Sequence, residues 1–445
     1  MTPTWSLDRP LLPRGVRSTV GVLLRCEGKA PAAHAAPPAN LTLVLDTSGS
    51  MAGTRLAHVR EAALALARGL RAVDRLAVVT FANSARVLSD GVDLDATALE
   101  GLLAGLRADG GTNLSAGWIE GLRQARAAHR PGAASRMVLL TDGEVNLGLT
   151  DPGTLACWAA ASRTQGILTS CVGVGGQFQE HLLAALAHEG GGRLHVVGDQ
   201  AAEVGASLAG ELALARTVSA QGVILELTMA PCVRRARQLG SYPVELDAAR
   251  RLVRVRPADV CGGASVVVGL ELDVELDTKL GPVELARGAL RWVDPTSLGP
   301  GGPAERELDV VVSARAALLE EIERVGVFTN EGVIDLACLR LARAQRRALR
   351  AVDAGDLDGA RRLLAAARDT VAPIAGHRVL RARLAALTAL ERTLNETPTR
   401  AERGSMLRKT LTRDVLNSSS YSSMDMEIEG APNEVDCSLD EDERR

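Results

Sequence analysis

Between residues 41 and 216 one pattern repeats: a short, almost wholly apolar run, then a longer stretch with apolar side chains at helical spacing. The runs are LTLVLD (41–46), RLAVVTFA (75–82), RMVLLTD (136–142), ILTSCVGVG (167–175) and GRLHVVG (192–198). A strand with one wet face alternates apolar and polar residues; these do not, so both faces of each must be covered. The segments between them, such as RLAHVREAALALARGLRAV (55–73) and NLSAGWIEGLRQARAAH (113–129), supply the covering helices. Strand–helix alternation of this kind predicts a doubly wound, mostly parallel sheet, with ARVLSD (85–90) as a hairpin partner of its neighbour.

The texture changes at about Thr217. GVILELTMA, YPVELDAARRLVRVRP, GASVVVGLELDVEL, VELARGALRWVD and RELDVVVSA are Val- and Leu-rich runs separated by turn residues, which predicts a β-sandwich over 217–313. The N-terminal segment 1–40 holds a strand at 15–27 with no local partner, followed by the connection KAPAAHAAPPAN; that strand is expected to join the sandwich. The α/β fold of 41–216 would then be an insertion within it. Helical spacing returns over 314–395. Residues 396–445 are Ser-rich and acidic, a composition unable to bury a core, so a disordered tail is expected. Its Asp425, Glu427 and Glu429 could act as an internal carboxylate source for a cation site elsewhere on the chain.

Composition narrows the functions. Aromatic residues are only 2% and the net charge is −3, so neither stacking platforms nor a global basic field favours nucleic acid. The seven cysteines are scattered without a CxxC pair, which argues against a zinc knuckle or a secreted disulfide framework. Cys157 and Cys171, set among apolar residues, read as core positions, and Trp118 and Trp158 as packing residues. No apolar leader and no membrane-length run is visible, so the expectation is a cytoplasmic protein that does not engage membranes.

Chemistry concentrates where the first apolar run ends, in LDTSGSMAG. Asp46, Ser48 and Ser50 offer one carboxylate and two neutral hydroxyls on a tight loop, which is no acid–base pair but suits a hard cation. In an open parallel sheet ligands bind beyond the carboxyl ends of the strands, where this loop lies. Two further segments aim oxygens at the same edge: Thr112 in DGGTNLS, and Asp142 in VLLTDGEV. Asn113 and Glu144 flank these positions. For either serine alone, capping a helix N-terminus would be an adequate explanation.

The set D-x-S-x-S, G-G-T-N and T-D-G resembles the von Willebrand factor A domain. The resemblance covers about 41–215, with all five positions in order. It implies a metal-ion-dependent adhesion site, in which Ser48, Ser50 and often Thr112 hold the ion and Asp46 and Asp142 act directly or through water. It implies Mg²⁺, with Ca²⁺ or Mn²⁺ as substitutes, and a last coordination position for an Asp or Glu of a partner protein. The overall layout is similar to bacterial proteins of this type with a flanking sandwich and C-terminal helices.

A non-enzymatic, metal-dependent interaction module is therefore the leading expectation. The alternative is a substrate-recruiting subunit of a MoxR- or chelatase-like AAA+ ATPase system, since similar domains serve such machines. A metal-dependent hydrolase ranks third, because no general base stands beside the cage. The chain has no G-x-x-x-x-G-K-[ST] motif. A phosphatase of the haloacid-dehalogenase type needs a second Asp where Ser48 stands.

Overall fold

The computed structural model describes residues 1–396, apart from 33–34, 92–95, 131, 144, 176–177, 199, 241, 277–278, 300–301, 326–329 and 354, together with Cys437–Ser438. The chain opens with β1 (Thr2–Leu7), β2 (Leu11–Pro13) and β3 (Arg17–Glu27). It then enters an α/β unit: β4 (Ala39–Asp46), α1 (Thr54–Arg68), β5 (Arg75–Phe81), β6 (Ala85–Ser89), α2 (Ala96–Ala104), α3 (Leu114–Ala127), β7 (Ala134–Thr141), α4 (Pro152–Arg163), β8 (Ile167–Val174), α5 (Glu180–Glu189), β9 (Gly191–Val197) and α6 (Ala201–Arg216).

In this unit the described strands form one sheet in the order β6-β5-β4-β7-β8-β9, parallel except for β6. Every residue of β4, β7 and β8 is buried, as the unbroken apolar runs require. Alternate side chains feed opposite cores. Leu41, Leu43 and Leu45 pack with α1, α2 and α6, whereas Val44, Val79 and Phe81 pack with α3, α4 and α5. The expected doubly wound sheet is thus present. Helix α3 lies especially close to it: a Cβ at Gly121 would stand 2.4 Å from Val44 Cγ2, and one at Gly117 would stand 2.5 Å from the Phe81 ring.

An all-strand region follows: β10 (Val218–Met229), β11 (Val233–Gln238), β12 (Val244–Asp247), β13 (Leu252–Val255), β14 (Val260–Cys261), β15 (Ser265–Glu275), β16 (Gly281–Gly299) and β17 (Gly302–Ala317). One sheet runs β1-β3-β15-β11 and the other β12-β13-β10-β16-β17-β2, and a single core lies between them. Strand β3 pairs antiparallel with β15 along its whole length, from Arg17↔Glu275 to Glu27↔Ser265. The α/β unit therefore sits between two strands of this sandwich in sequence.

Helices α7 (Leu319–Val325), α8 (Glu331–Asp353), α9 (Leu357–Val371) and α10 (Arg378–Glu396) complete the described fold. Leu336 and Leu339 of α8 enter the sandwich core, and the last three helices share a core of their own. The acidic stretch expected to be disordered, with Asp425, Glu427 and Glu429, lies outside the described residues. So does Glu144. Cys437–Ser438 (β18) pairs with Arg235 and Ala236 of β11.

Three local features differ from the sequence reading. Strands β1, β2 and β11 are added, and β17 continues to Ala317, past the start of the helical pattern at Ala314. Ala314 and Ala316 have good helix propensity, but both are buried and paired with β16, and the ladder prevails. Cys157 is exposed rather than in the core, while Cys171 is buried. Trp118 and Trp158 pack on each other as expected, the exposed Trp158 stacking on buried Trp118 with ring centroids 6.2 Å apart.

Two polar clusters stand where the chain enters and leaves the α/β unit and where the unit meets the sandwich. Asp74 accepts the Ala39 N–H at 2.8 Å, where the chain enters the unit, and Arg216 Nη2 at 2.6 Å, where it leaves. Arg71 Nη2 reaches the same carboxylate and the carbonyl of Pro37. Burial alone would raise the Asp74 pKa, but Arg71, the Ala39 N–H and Arg216 hold it well below the usual carboxylate range. At the start of β7, Arg136 donates to Glu211 Oε2 at 3.1 Å and lies beside Cys261 of β14. Glu211 also accepts Ser170 Oγ at 2.9 Å and meets His195 Nε2 at 2.8 Å.

Candidate metal centre

The five oxygen-bearing residues gather at the carboxyl edge of the parallel sheet. Asp46 ends β4 and is completely buried. Its Oδ1 accepts the Ser48 N–H at 2.8 Å, which closes the loop tightly, and its Oδ2 accepts Thr141 Oγ1 from β7 at 2.5 Å. Asp142, one residue beyond β7, accepts Ser50 Oγ at 2.6 Å. Ser48 Oγ and Ser50 Oγ are 3.1 Å apart. Two loops from different strands thus meet through their side-chain oxygens.

The capping explanation for the serines does not hold. Ser48 precedes the short 3₁₀ turn Gly49–Met51 without a side-chain capping bond, and α1 starts from Gly53. By contrast Asn113 does cap, accepting the Ala116 N–H at 3.1 Å at the start of α3. Asn113 is a helix cap, and the serine hydroxyls are aimed elsewhere.

Thr112 arrives on a third loop, held by backbone bonds. Gly49 N donates to Gly110 O at 3.0 Å and Asp109 N to Thr47 O at 2.9 Å. Gly110 has φ +81°, a left-handed conformation that glycine adopts without the Cβ penalty. Asn83, between β5 and β6, accepts the Gly111 N–H at 2.7 Å, and Asn146 accepts the Thr112 N–H at 2.8 Å. The Thr112 side chain then faces Ser50 across a glycine. A Cβ at Gly143 would lie 3.1 Å from Ser50 Oγ and 3.6 Å from Thr112 Oγ1, so the missing methyl leaves a small space bounded by both hydroxyls.

Two carboxylates stand close enough at this edge to feel each other's charge. Burial raises the Asp46 pKa; hydrogen bonds from Thr141 and Ser48 oppose the rise, and the neighbouring charge of Asp142 adds to it. Three hydroxyls and two carboxylates form an all-oxygen donor set of the kind Mg²⁺ and Ca²⁺ accept. Among the described residues no three His, Cys, Asp or Glu side chains gather to hold a metal, so hydroxyls must contribute to any such site.

Sequence reasoning missed the residues that support this edge: Thr141, Asn83, Asn146 and, above all, Arg55. Arg55 Nη1 donates to Asp142 Oδ2 at 2.6 Å and to Ser50 O at 3.3 Å. One signal was present in the sequence. Arg55 falls in the first turn of α1, where a cation opposes the helix dipole and an anion is expected beside it.

Comparisons with known proteins agree with this fold. Residues 40–206 match the family model of the von Willebrand factor type A domain. The uncharacterized protein YfbK of Escherichia coli is 29% identical over 208 residues, 46% of this chain and 36% of that one. The chain spans little more than a third of the length of the first curated relatives it matches, 36% and 38%. A von Willebrand factor type A structure from Catenulispora acidiphila superposes with a TM-score of 0.63 at 19% identity, covering 86% of this chain and 88% of that one. The ArnB paralog VWA2 from Sulfolobus acidocaldarius superposes with a TM-score of 0.57 at 14% identity, covering 96% and 99%. At these identities the structures speak for the fold alone. Residues 40–206 of this chain are a von Willebrand factor type A domain.

Proposed function

We propose that this domain is a metal-dependent grip for an acidic residue of a partner protein. Ser48, Ser50 and Thr112 would hold a divalent cation, Mg²⁺ first and Ca²⁺ or Mn²⁺ as substitutes, with Asp46 and Asp142 acting directly or through water. The observation that carries this reading is the pair of serine hydroxyls, 3.1 Å apart and not used as caps, of which Ser50 Oγ borders the Gly143 space together with Thr112 Oγ1. When bound, a divalent cation supplies a hard, Lewis-acidic centre for an oxygen anion.

The chain's own residues favour binding over catalysis. Both Asp46 oxygens are committed, one to the Ser48 N–H and one to Thr141, and Asp142 is held by Ser50 and Arg55. Neither is poised to take a proton from a substrate, which supports a non-enzymatic role. The same grip would serve a substrate-recruiting subunit of an AAA+ ATPase. Cys26, Cys157, Cys171 and Cys261 form no disulfide, which suits the cytoplasm as the proposed compartment, and among the described residues no helix is long and apolar enough to cross a membrane.

Calorimetric titration with Mg²⁺ tests the reading. We expect one ion per chain in the wild type and none in Ser50→Ala or Asp46→Ala, with thermal melts showing that the variants remain folded. Equal uptake by the folded variants would refute the site.

A further inference from the structure

We propose that Arg55 is a positioning residue of this grip: it gives the loaded site its net positive charge for an incoming carboxylate, and it competes with the cation for Asp142. The inference rests on the metal-site reading and deepens it.

The Asp142 carboxylate is completely buried, and Arg55 covers it from a side chain that is 32% exposed. The guanidinium spans the mouth of the site. Nη1 touches Asp142 after β7 and the carbonyl of Ser50 after β4, while Nη2 lies 3.6 Å from where a Cβ at Gly175, after β8, would sit. Its position is poor for helix stability, since a cation in the first turn of α1 opposes the dipole. Asp142 supplies the compensating charge, so this contact accounts for where the guanidinium sits.

Charge counting gives the consequence. Asp46 and Asp142 together carry two negative charges when ionised, and the three hydroxyls carry none. A dication would therefore leave the cage formally neutral, with little net attraction for another acid. Arg55 adds one positive charge at its rim. A guanidinium also presents five N–H donors in a fork that matches a carboxylate, and the bonds described above use Nη1 alone. Before loading, the same charge rests on Asp142 and repels an entering cation. One side chain thus weakens cation uptake and strengthens carboxylate capture.

Mn²⁺ and acetate serve as probes. Free Mn²⁺ is followed by electron paramagnetic resonance, and acetate binding to the loaded protein by the fall in water-proton relaxation as bound water is displaced. Arg55→Gln should bind Mn²⁺ about tenfold more tightly and acetate about tenfold more weakly than the wild type. Arg55→Lys keeps the charge and loses the fork; its acetate affinity should stay within about threefold of the wild type. If Arg55→Gln does not fold, Arg55→Lys decides: an acetate affinity tenfold or more below the wild type overturns the charge argument. Unchanged Mn²⁺ and acetate affinities in folded Arg55→Gln overturn the role of Arg55 and leave the metal site standing. No Mn²⁺ uptake by the wild type overturns the site reading, and this inference with it.

Discussion

Replacing Glu211 with Gln removes one charge from the buried cluster at the sandwich end of the sheet, and the cost should depend on pH. Glu211 is completely buried, between Arg136 at 3.1 Å, Ser170 at 2.9 Å and His195 at 2.8 Å. Burial alone would raise its pKa, but the His195 hydrogen bond and the charge of Arg136 outweigh it and hold the carboxyl down to about 2, against the usual 4.5. A folded-state pKa below the unfolded value means stability that is full above 4.5 and is lost as the pH falls toward 2. That difference is worth about 3 kcal/mol at neutral pH, in line with the cost of leaving a buried Arg136 without its anion. The assay is urea unfolding of wild type and Glu211→Gln between pH 7 and pH 2. It should use a background with Trp5 and Trp292 replaced by Phe, so that Trp118 and Trp158 report the α/β domain. The stability gap should be about 3 kcal/mol at pH 7 and nearly closed at pH 2. A gap that stays constant with pH would show that the Glu211 charge is not what the cluster uses.

Two further outcomes follow from the same contacts. Asp74→Ala frees both chain crossings at once, because one carboxylate holds Ala39 and Arg216; it should cost about 3 kcal/mol in thermal or urea unfolding, and a loss below half a kcal/mol would remove the clamp. Gly121→Ala forces a methyl toward Val44 and Met137 between α3 and the sheet, and should cost about 1–3 kcal/mol by the same measurement; a neutral effect would mean the helix can shift freely.

The gathering of Asp46, Ser48, Ser50, Thr112 and Asp142 at one edge was legible because each follows a strand or a Gly-rich turn whose local pattern is strong. Parallel strands release their ends on one side, so three loops far apart in sequence had to emerge together. Asn83 was not legible, and for Arg55 the sequence showed only a cation misplaced in the first turn of a helix, not the carboxylate it meets. Their roles depend on loop-to-loop distances of a few ångströms, which no spacing along the chain encodes. Strand β11, VRRARQ, carries three arginines and looks like surface; its place comes from pairing with β15.

The sequence by itself determined the doubly wound sheet, since uninterrupted apolar runs can only be satisfied by burial on both faces, and it determined which oxygens stand at the sheet's edge. The tertiary structure alone decided that β1 and β2 join the sandwich beside the expected β3, and that Ala314–Ala317 extend a strand rather than open a helix. It also decided that an arginine from the first helix rests on the last carboxylate of the site. Burial patterns are written residue by residue along the chain, whereas pairing and charge compensation depend on which distant surfaces come to lie against each other.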